Sequence, residues 1–145
     1  MRAVTMLLGS LLVVGCAGST GEVGGSADDA MSGDVAATVE VKVQGETARF
    51  LLHVTNTGSR ALDFTFRSSQ RFDFVVRDDA GSEVWRWSDG MMFLQALSEA
   101  SLAPRETWDF DVTWDPGDRS GRFQVVGWVT ASEHDVQQSA TFELP

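Results

Sequence analysis

The chain has one cysteine, no tyrosine and only two histidines in 145 residues. A single cysteine leaves no partner for an intrachain disulfide, so the fold must hold by burial alone. His53 alternates onto the wet face of a strand pattern, and His134 sits in the loop Ser132-Glu133-His134-Asp135. Both read as exposed surface side chains. Neither is accompanied by any signature of an activated nucleophile. Metal ligands are equally sparse. Asp115-Pro116-Gly117-Asp118 has acids and a glycine but not the spaced ligands of a calcium loop, and it reads as a β-turn. No enzyme activity, catalytic residue, metal or cofactor is therefore expected. Basic residues are also short, 11 against 21 acidic, for a net charge of −10. Such a chain repels phosphate backbones, which excludes nucleic acid, and gains nothing from an anionic membrane surface. A monomer is expected. The longest apolar run at the start, residues 3–14, has 12 positions, where a spanning helix needs about 20.

What is there begins with the lone cysteine. Arg2, the apolar run and then Val13-Val14-Gly15-Cys16 look like a bacterial lipoprotein signal. In such a signal the cysteine is lipidated and becomes the new N-terminus. Cys16 is the expected lipidation site, so the membrane is met through lipid only. The expected location is the cell envelope, and Ala17 after the cysteine points to the outer membrane if the cell has one. Residues 17–37 are Gly, Ser, Ala and Asp with almost no bulky apolar group. That composition cannot bury enough surface to offset its ordering entropy, and it reads as a flexible tether. The expected organisation is signal 1–16, tether 17–37 and one domain 38–145.

The domain reads as strands. Val39, Val41 and Val43 alternate with polar residues, as do Phe50, Leu52 and Val54. The same holds for Leu62, Phe64 and Phe66, and for Phe72, Phe74 and Val76. Trp108-Asp109-Phe110-Asp111-Val112-Thr113-Trp114 is the cleanest case, and period two gives each strand one dry and one wet face. Two further strands fall near residues 122–131 and 136–144. Turn signals at Asn56-Thr57-Gly58, Asp78-Asp79-Ala80-Gly81, Ser88-Asp89-Gly90 and Asp115-Pro116-Gly117-Asp118 separate them. The expectation is an all-β, Ig-like antiparallel β-sandwich of seven or eight strands. Residues 92–100 read either as a strand or as a helical turn.

Residues 68–97, SSQRFDFVVRDDAGSEVWRWSDGMMFLQAL, resemble the BsuPI-type intracellular proteinase inhibitor family of bacteria. Matching pieces include Val54-Thr55-Asn56, Phe66-Arg67-Ser68-Ser69-Gln70, Val84-Trp85-Arg86-Trp87-Ser88 and Gln95-Ala96-Leu97. Leu102-Ala103-Pro104-Arg105-Glu106 stands where the family commonly has a Pro-Gly-Glu turn. The resemblance implies an Ig-like sandwich, an extended edge segment over residues 92–100, and restraint of a subtilisin-type serine protease. The export signal departs from an intracellular role and moves any target protease to the envelope or beyond.

An inhibitor that acts like a substrate needs a protruding, extended, rigid loop. Ser88-Asp89-Gly90-Met91-Met92-Phe93 places Met91, Met92 and Phe93 beside a turn, and methionines make adaptable apolar contacts. The alternative is that Met92 and Phe93 fold back over the sandwich edge. Arg119 in Gly117-Asp118-Arg119-Ser120-Gly121 is a second candidate, suited to a trypsin-like pocket. Five tryptophans raise another possibility. Trp108 and Trp114 share a dry face with Phe110, and Trp85 and Trp87 share another. If Phe123, Val125, Gly127 and Val129 point inward, Trp128 points out. The partner is then a serine protease or, for a non-inhibitory Ig-like interaction module, another envelope protein. A sugar-binding module using Trp128 is the third reading.

Overall fold

The structure, a computed structural model, describes residues 34–145. Cys16 and residues 17–33 of the expected tether lie outside the described residues. The domain is all-β, with nine antiparallel strands among the described residues. β1 (Val35–Gln44) and β2 (Thr47–Asn56) form a hairpin in which Gln44 pairs with Thr47. Gly45 holds φ +60 at the first central position of that two-residue turn, the place where a type II′ hairpin requires glycine. β3 is Leu62–Phe66, β4 Phe72–Asp78 and β5 Glu83–Arg86. β6 (Ser98–Leu102), β7 (Thr107–Trp114), β8 (Gly121–Val129) and β9 (Gln137–Leu144) follow. One sheet has the order β1-β2-β7, the opposing sheet β5-β4-β8-β9, and β3 pairs with β6 as a ribbon at the edge.

Alternation puts Phe50, Leu52 and Val54 of β2 inside, facing Phe74 and Val76 of β4 and Phe123 and Val125 of β8. Phe50 joins the two sheets: its ring lies 6.1 Å from Phe74, 6.4 Å from Trp114 and 5.4 Å from Phe142. Gly127 is buried against the same cluster, and a Cβ there would stand 2.7 Å from the Phe74 ring. A glycine is needed for that close approach. The outer face of the first sheet carries a cross-strand polar ladder. Arg49 Nε donates to Asp111 at 2.8 Å, His53 Nδ1 meets Asp109 at 2.6 Å, and Thr55 meets Thr107 at 2.7 Å. The Asp111 carboxyl is held below its ordinary range by the hydrogen bond and charge of Arg49.

Asn56 is fully buried and fully used. Its Nδ2 donates to the carbonyls of Arg60 and Leu102 at 2.7 and 2.9 Å, and its Oδ1 accepts from Gly58 N at 2.9 Å. One side chain thus ties the end of β2 to the β2–β3 turn and to β6. Beside it Arg105 takes φ +67 and donates its backbone N–H to Asn56 O.

Several expectations need correction. The domain does not start at residue 38: Val35 and Ala37 are already buried in β1, paired with Asn56 and Val54. Alanines fill that stretch because the partner strand, not their own bulk, holds them there. Among the described residues the strand count is nine, because the short β5 and the weakly apolar β6 are built by pairing with β4 and β3. Residues 91–97 form neither helix nor turn and β6 begins at Ser98, so the helical-turn alternative falls. Trp114 is buried as expected, but Trp108 and Phe110 are only half-buried, because they line an open groove with Phe66 and Ala100. His134 is not a free surface side chain. With φ +57, its ring packs 4.9 Å from Phe64.

Candidate functional site

Monomeric proteins rarely expose contiguous large apolar patches. Five large apolar side chains are exposed among the described residues, and four of them lie in one seven-residue segment. They are Met91 at 45 %, Met92 at 99 %, Leu94 at 75 % and Leu97 at 72 % exposure. The chain leaves β5, makes a turn over residues 87–90 and reaches β6 through residues 91–97 without regular secondary structure.

The base of the segment is pinned at both ends. At its start lies Asp73 on β4, only 3 % exposed. Its Oδ2 accepts from Ser88 Oγ at 2.7 Å and from Arg86 at 3.4 Å, while its Oδ1 accepts from Ser88 N at 3.2 Å and Phe74 N at 2.9 Å. A buried carboxylate must be met by donors in this way, because an unpaired one is expensive. Met91 N then donates to Ser88 O at 3.0 Å, closing a turn with Gly90 at φ +76. That sign of φ at the third turn residue favours glycine. At the far end Leu94 N donates to Ser69 Oγ at 3.0 Å, and Ser69 N returns a bond to Leu94 O at 2.9 Å.

Apolar packing supports the same segment from below. Phe93 is half-buried, its ring 6.0 Å from Trp87. Trp87 stacks on Phe72 at 4.3 Å, and Phe72 on Phe110 at 4.7 Å. Phe93 is thus a foot of the loop rather than part of its tip. Met92 stands between the turn and this foot, with its backbone held on both sides and its side chain in solvent. The fold-back alternative holds for Phe93 and fails for Met92.

The other candidates are placed differently. Arg119 is exposed but turned back on its own loop, where Nη1 donates to Pro116 O at 3.1 Å. Its backbone N–H also points at that carbonyl, at 3.4 Å. Trp128 faces outward as expected. It is half-buried, and the Arg86 guanidinium lies 5.4 Å from its ring centroid, so that ring face is not open to a sugar. The same guanidinium pairs with Glu83 at 2.7 Å, which lowers the Glu83 carboxyl. Beside β7, the end strand of its sheet, lies a shallow groove of about 380 Å³ lined by Phe66, Arg71, Ala100, Trp108 and Phe110. Among the described residues no cluster of His, Cys, Asp and Glu is arranged to hold a metal.

Sequence reasoning did not find Asp73, Ser69, Leu94 or Leu97. The two leucines were legible as apolar residues without strand alternation. The two anchors were not, since they reach across 15 and 25 residues of chain.

Residues 35–134 match the family BsuPI, intracellular proteinase inhibitor. The chain belongs to this family. Its domain is a proteinase inhibitor family domain, with the non-enzymatic role that implies. No curated protein matches the chain. Among solved structures it is similar to β-glucosidase 3B from Thermotoga neapolitana, with 17 % identity, TM-score 0.41 and coverage of 76 % of this chain and 15 % of that one. It is also similar to a β-glucosidase from Kluyveromyces marxianus, with 16 % identity, TM-score 0.45 and coverage of 77 % and 14 %. The sporulation control protein Spo0M from Bacillus subtilis aligns with 16 % identity, TM-score 0.45 and coverage of 77 % and 49 %. The chain spans less than half the length of each of these.

Proposed function

We propose that this domain restrains a serine protease of the subtilisin type, and that residues 88–97 are the segment it inserts into the protease cleft. The observation that carries the reading is the combination at Met92. Its side chain is 99 % exposed, and the backbone on either side is held by Asp73 and Ser69. A loop pinned this way loses little further entropy on binding, so more of its contact energy appears as affinity. Met92 supplies an unbranched apolar side chain for the main specificity pocket. Met91 and Leu94 flank it. Arg119, folded onto Pro116, takes no part. On the lipoprotein reading of Cys16, the target protease lies in the envelope or outside the cell, with the inhibitor held by lipid.

The test is inhibition of a subtilisin-like protease by the chain and by Met91→Asp/Met92→Asp. The native chain is expected to inhibit. The double variant, forcing unpaired charge into an apolar pocket, should lose at least about 2 kcal/mol, or 30-fold. Equal inhibition by the two would move the site away from this loop. A native chain that inhibits no subtilisin-like protease favours a second reading, a non-inhibitory envelope interaction module. That reading rests on the end strand β7 and the apolar groove along it, a place where an extended partner strand could add.

A further inference from the structure

Among the described residues the chain has two methionines, Met91 and Met92, and both lie at the tip of the same loop. The chain's other three methionines, Met1, Met6 and Met31, and its single cysteine precede residue 34. The other oxidisable side chains of the domain are sheltered: all five tryptophans and both histidines are buried or half-buried. A thioether reacts with a two-electron oxidant according to how freely the oxidant reaches the sulfur, and its oxidation turns a flexible apolar side chain into a polar one. Met92 at 99 % exposure offers no barrier to approach, while Met91 is partly shielded at 45 %.

We propose that Met92 is an oxidation site that switches the loop off, an inference that rests on the inhibitor reading above. The oxidant is a hydroperoxide, ROOH. The Met92 sulfur attacks the terminal peroxide oxygen, the O–O bond breaks and an S–O bond forms. Sulfur gives up two electrons, the proton of the transferred OH passes to the departing oxygen, and ROH leaves. The product sulfoxide carries a strong dipole on the side chain that must enter a dry pocket, where a polar group without a partner is costly. The fold is unaffected, because the Met92 side chain buries nothing. Thiol-driven reduction of the sulfoxide restores the thioether and with it the inhibitor.

The experiment treats the full chain with hydrogen peroxide, removes the peroxide with catalase, and measures inhibition of a subtilisin-like protease before and after. Peptide mapping by mass spectrometry locates the sulfoxide, and circular dichroism monitors the fold. The same is done for Met91→Leu/Met92→Leu, and each protein is judged by its own ratio of inhibition constants, oxidised over untreated. The expected result is early sulfoxide at Met92 and a ratio of at least about tenfold in the native chain, against a ratio near one in the leucine variant. Sulfoxide at Met92 with an unchanged inhibition constant overturns the switch and leaves the inhibitor reading standing. So does an equal loss in the leucine variant, or sulfoxide that forms at Met91 before Met92. An untreated native chain that does not inhibit overturns the inhibitor reading itself, and the switch with it.

Discussion

Two turn-based loops leave this sandwich with a side chain suited to a protease pocket, and they treat it in opposite ways. In residues 88–97 the backbone is tied to the framework by Asp73 and Ser69, and the apolar Met92 is left in solvent. In residues 115–120 the cationic side chain of Arg119 is spent on its own turn, bonded to Pro116 O. Its ties, including Gly117 N to Asp115 Oδ1 at 2.9 Å, are internal. The first loop presents a side chain on a fixed backbone. The second satisfies itself. On the proposed reading of residues 88–97, a binding loop is recognised less by its tip residue than by where the hydrogen bonds of its base go. Bonds made to the framework hold the backbone for a partner, and bonds made within the loop hold it for nothing else.

This contrast can be broken at several points. The largest effect is expected at the tip, where charge at both methionines should cost about 30-fold or more in inhibition, while Arg119→Ala should change it by less than about twofold. Matched inhibition constants for the two variants would erase the distinction. Next comes the buried anchor. Asp73→Ala leaves Ser88 N and Oγ without their acceptor, while Arg86 keeps Glu83, and should lower stability by about 1–3 kcal/mol in urea denaturation. It should also weaken inhibition. A variant as stable and as potent as the native chain would mean that the base of the loop is not held from Asp73.

A smaller effect is expected at the far anchor. Ser69→Ala removes only the bond to Leu94 N and should cost about 0.5–1.5 kcal/mol. Hydrogen exchange should quicken at Leu94 while β2 stays protected.

The framework around Arg105 offers a change of opposite sign. Its φ of +67 suits glycine better, so Arg105→Gly should raise stability by up to about 1 kcal/mol. A loss in thermal unfolding would show that the arginine side chain outweighs its backbone strain.

The smallest effect is with pH. The Glu133 carboxyl is lowered by its hydrogen bond to Thr65, and those of Glu83 and Asp111 by their bonds to Arg86 and Arg49. All three carboxyls are depressed in the folded state. Their contribution is complete above the unfolded carboxylate range, about pH 4, and is lost as pH falls through the folded values below it. Denaturation midpoints should be flat from neutrality to about pH 5 and fall slightly below pH 4. A midpoint that rises on acidification would contradict these pairs.

Much of the framework was legible because period two writes itself into β2 and β7, where Phe50, Leu52 and Val54, and Val112 and Trp114, are buried as the alternation predicts. It was weaker where pairing rather than side-chain bulk makes the strand. Val35-Ala36-Ala37 reads as tether by composition, and Ser98-Glu99-Ala100-Ser101 has too little apolar character to announce β6. Half-burial of Phe110 follows from the groove it lines with Phe66 and Ala100, which local pattern cannot say. At the site, the tip was visible because Met91-Met92 follows a turn signal. Its anchors were not, because a lone Asp73 within an alternating strand looks like any wet-face residue. It becomes an anchor only when Ser88 is folded over it.

The most direct test of the account is the rate at which a subtilisin-like protease cuts residues 88–97 in the folded chain and in a free peptide of residues 86–97. A pinned inhibitory loop occupies the cleft without yielding. The folded chain should therefore compete with a peptide substrate while being cut within the loop at least about tenfold more slowly than the free peptide, about 1.4 kcal/mol of added barrier. If the loop in the folded chain is cut as fast as the free peptide, it is an exposed substrate rather than an inhibitory segment, and the central claim falls.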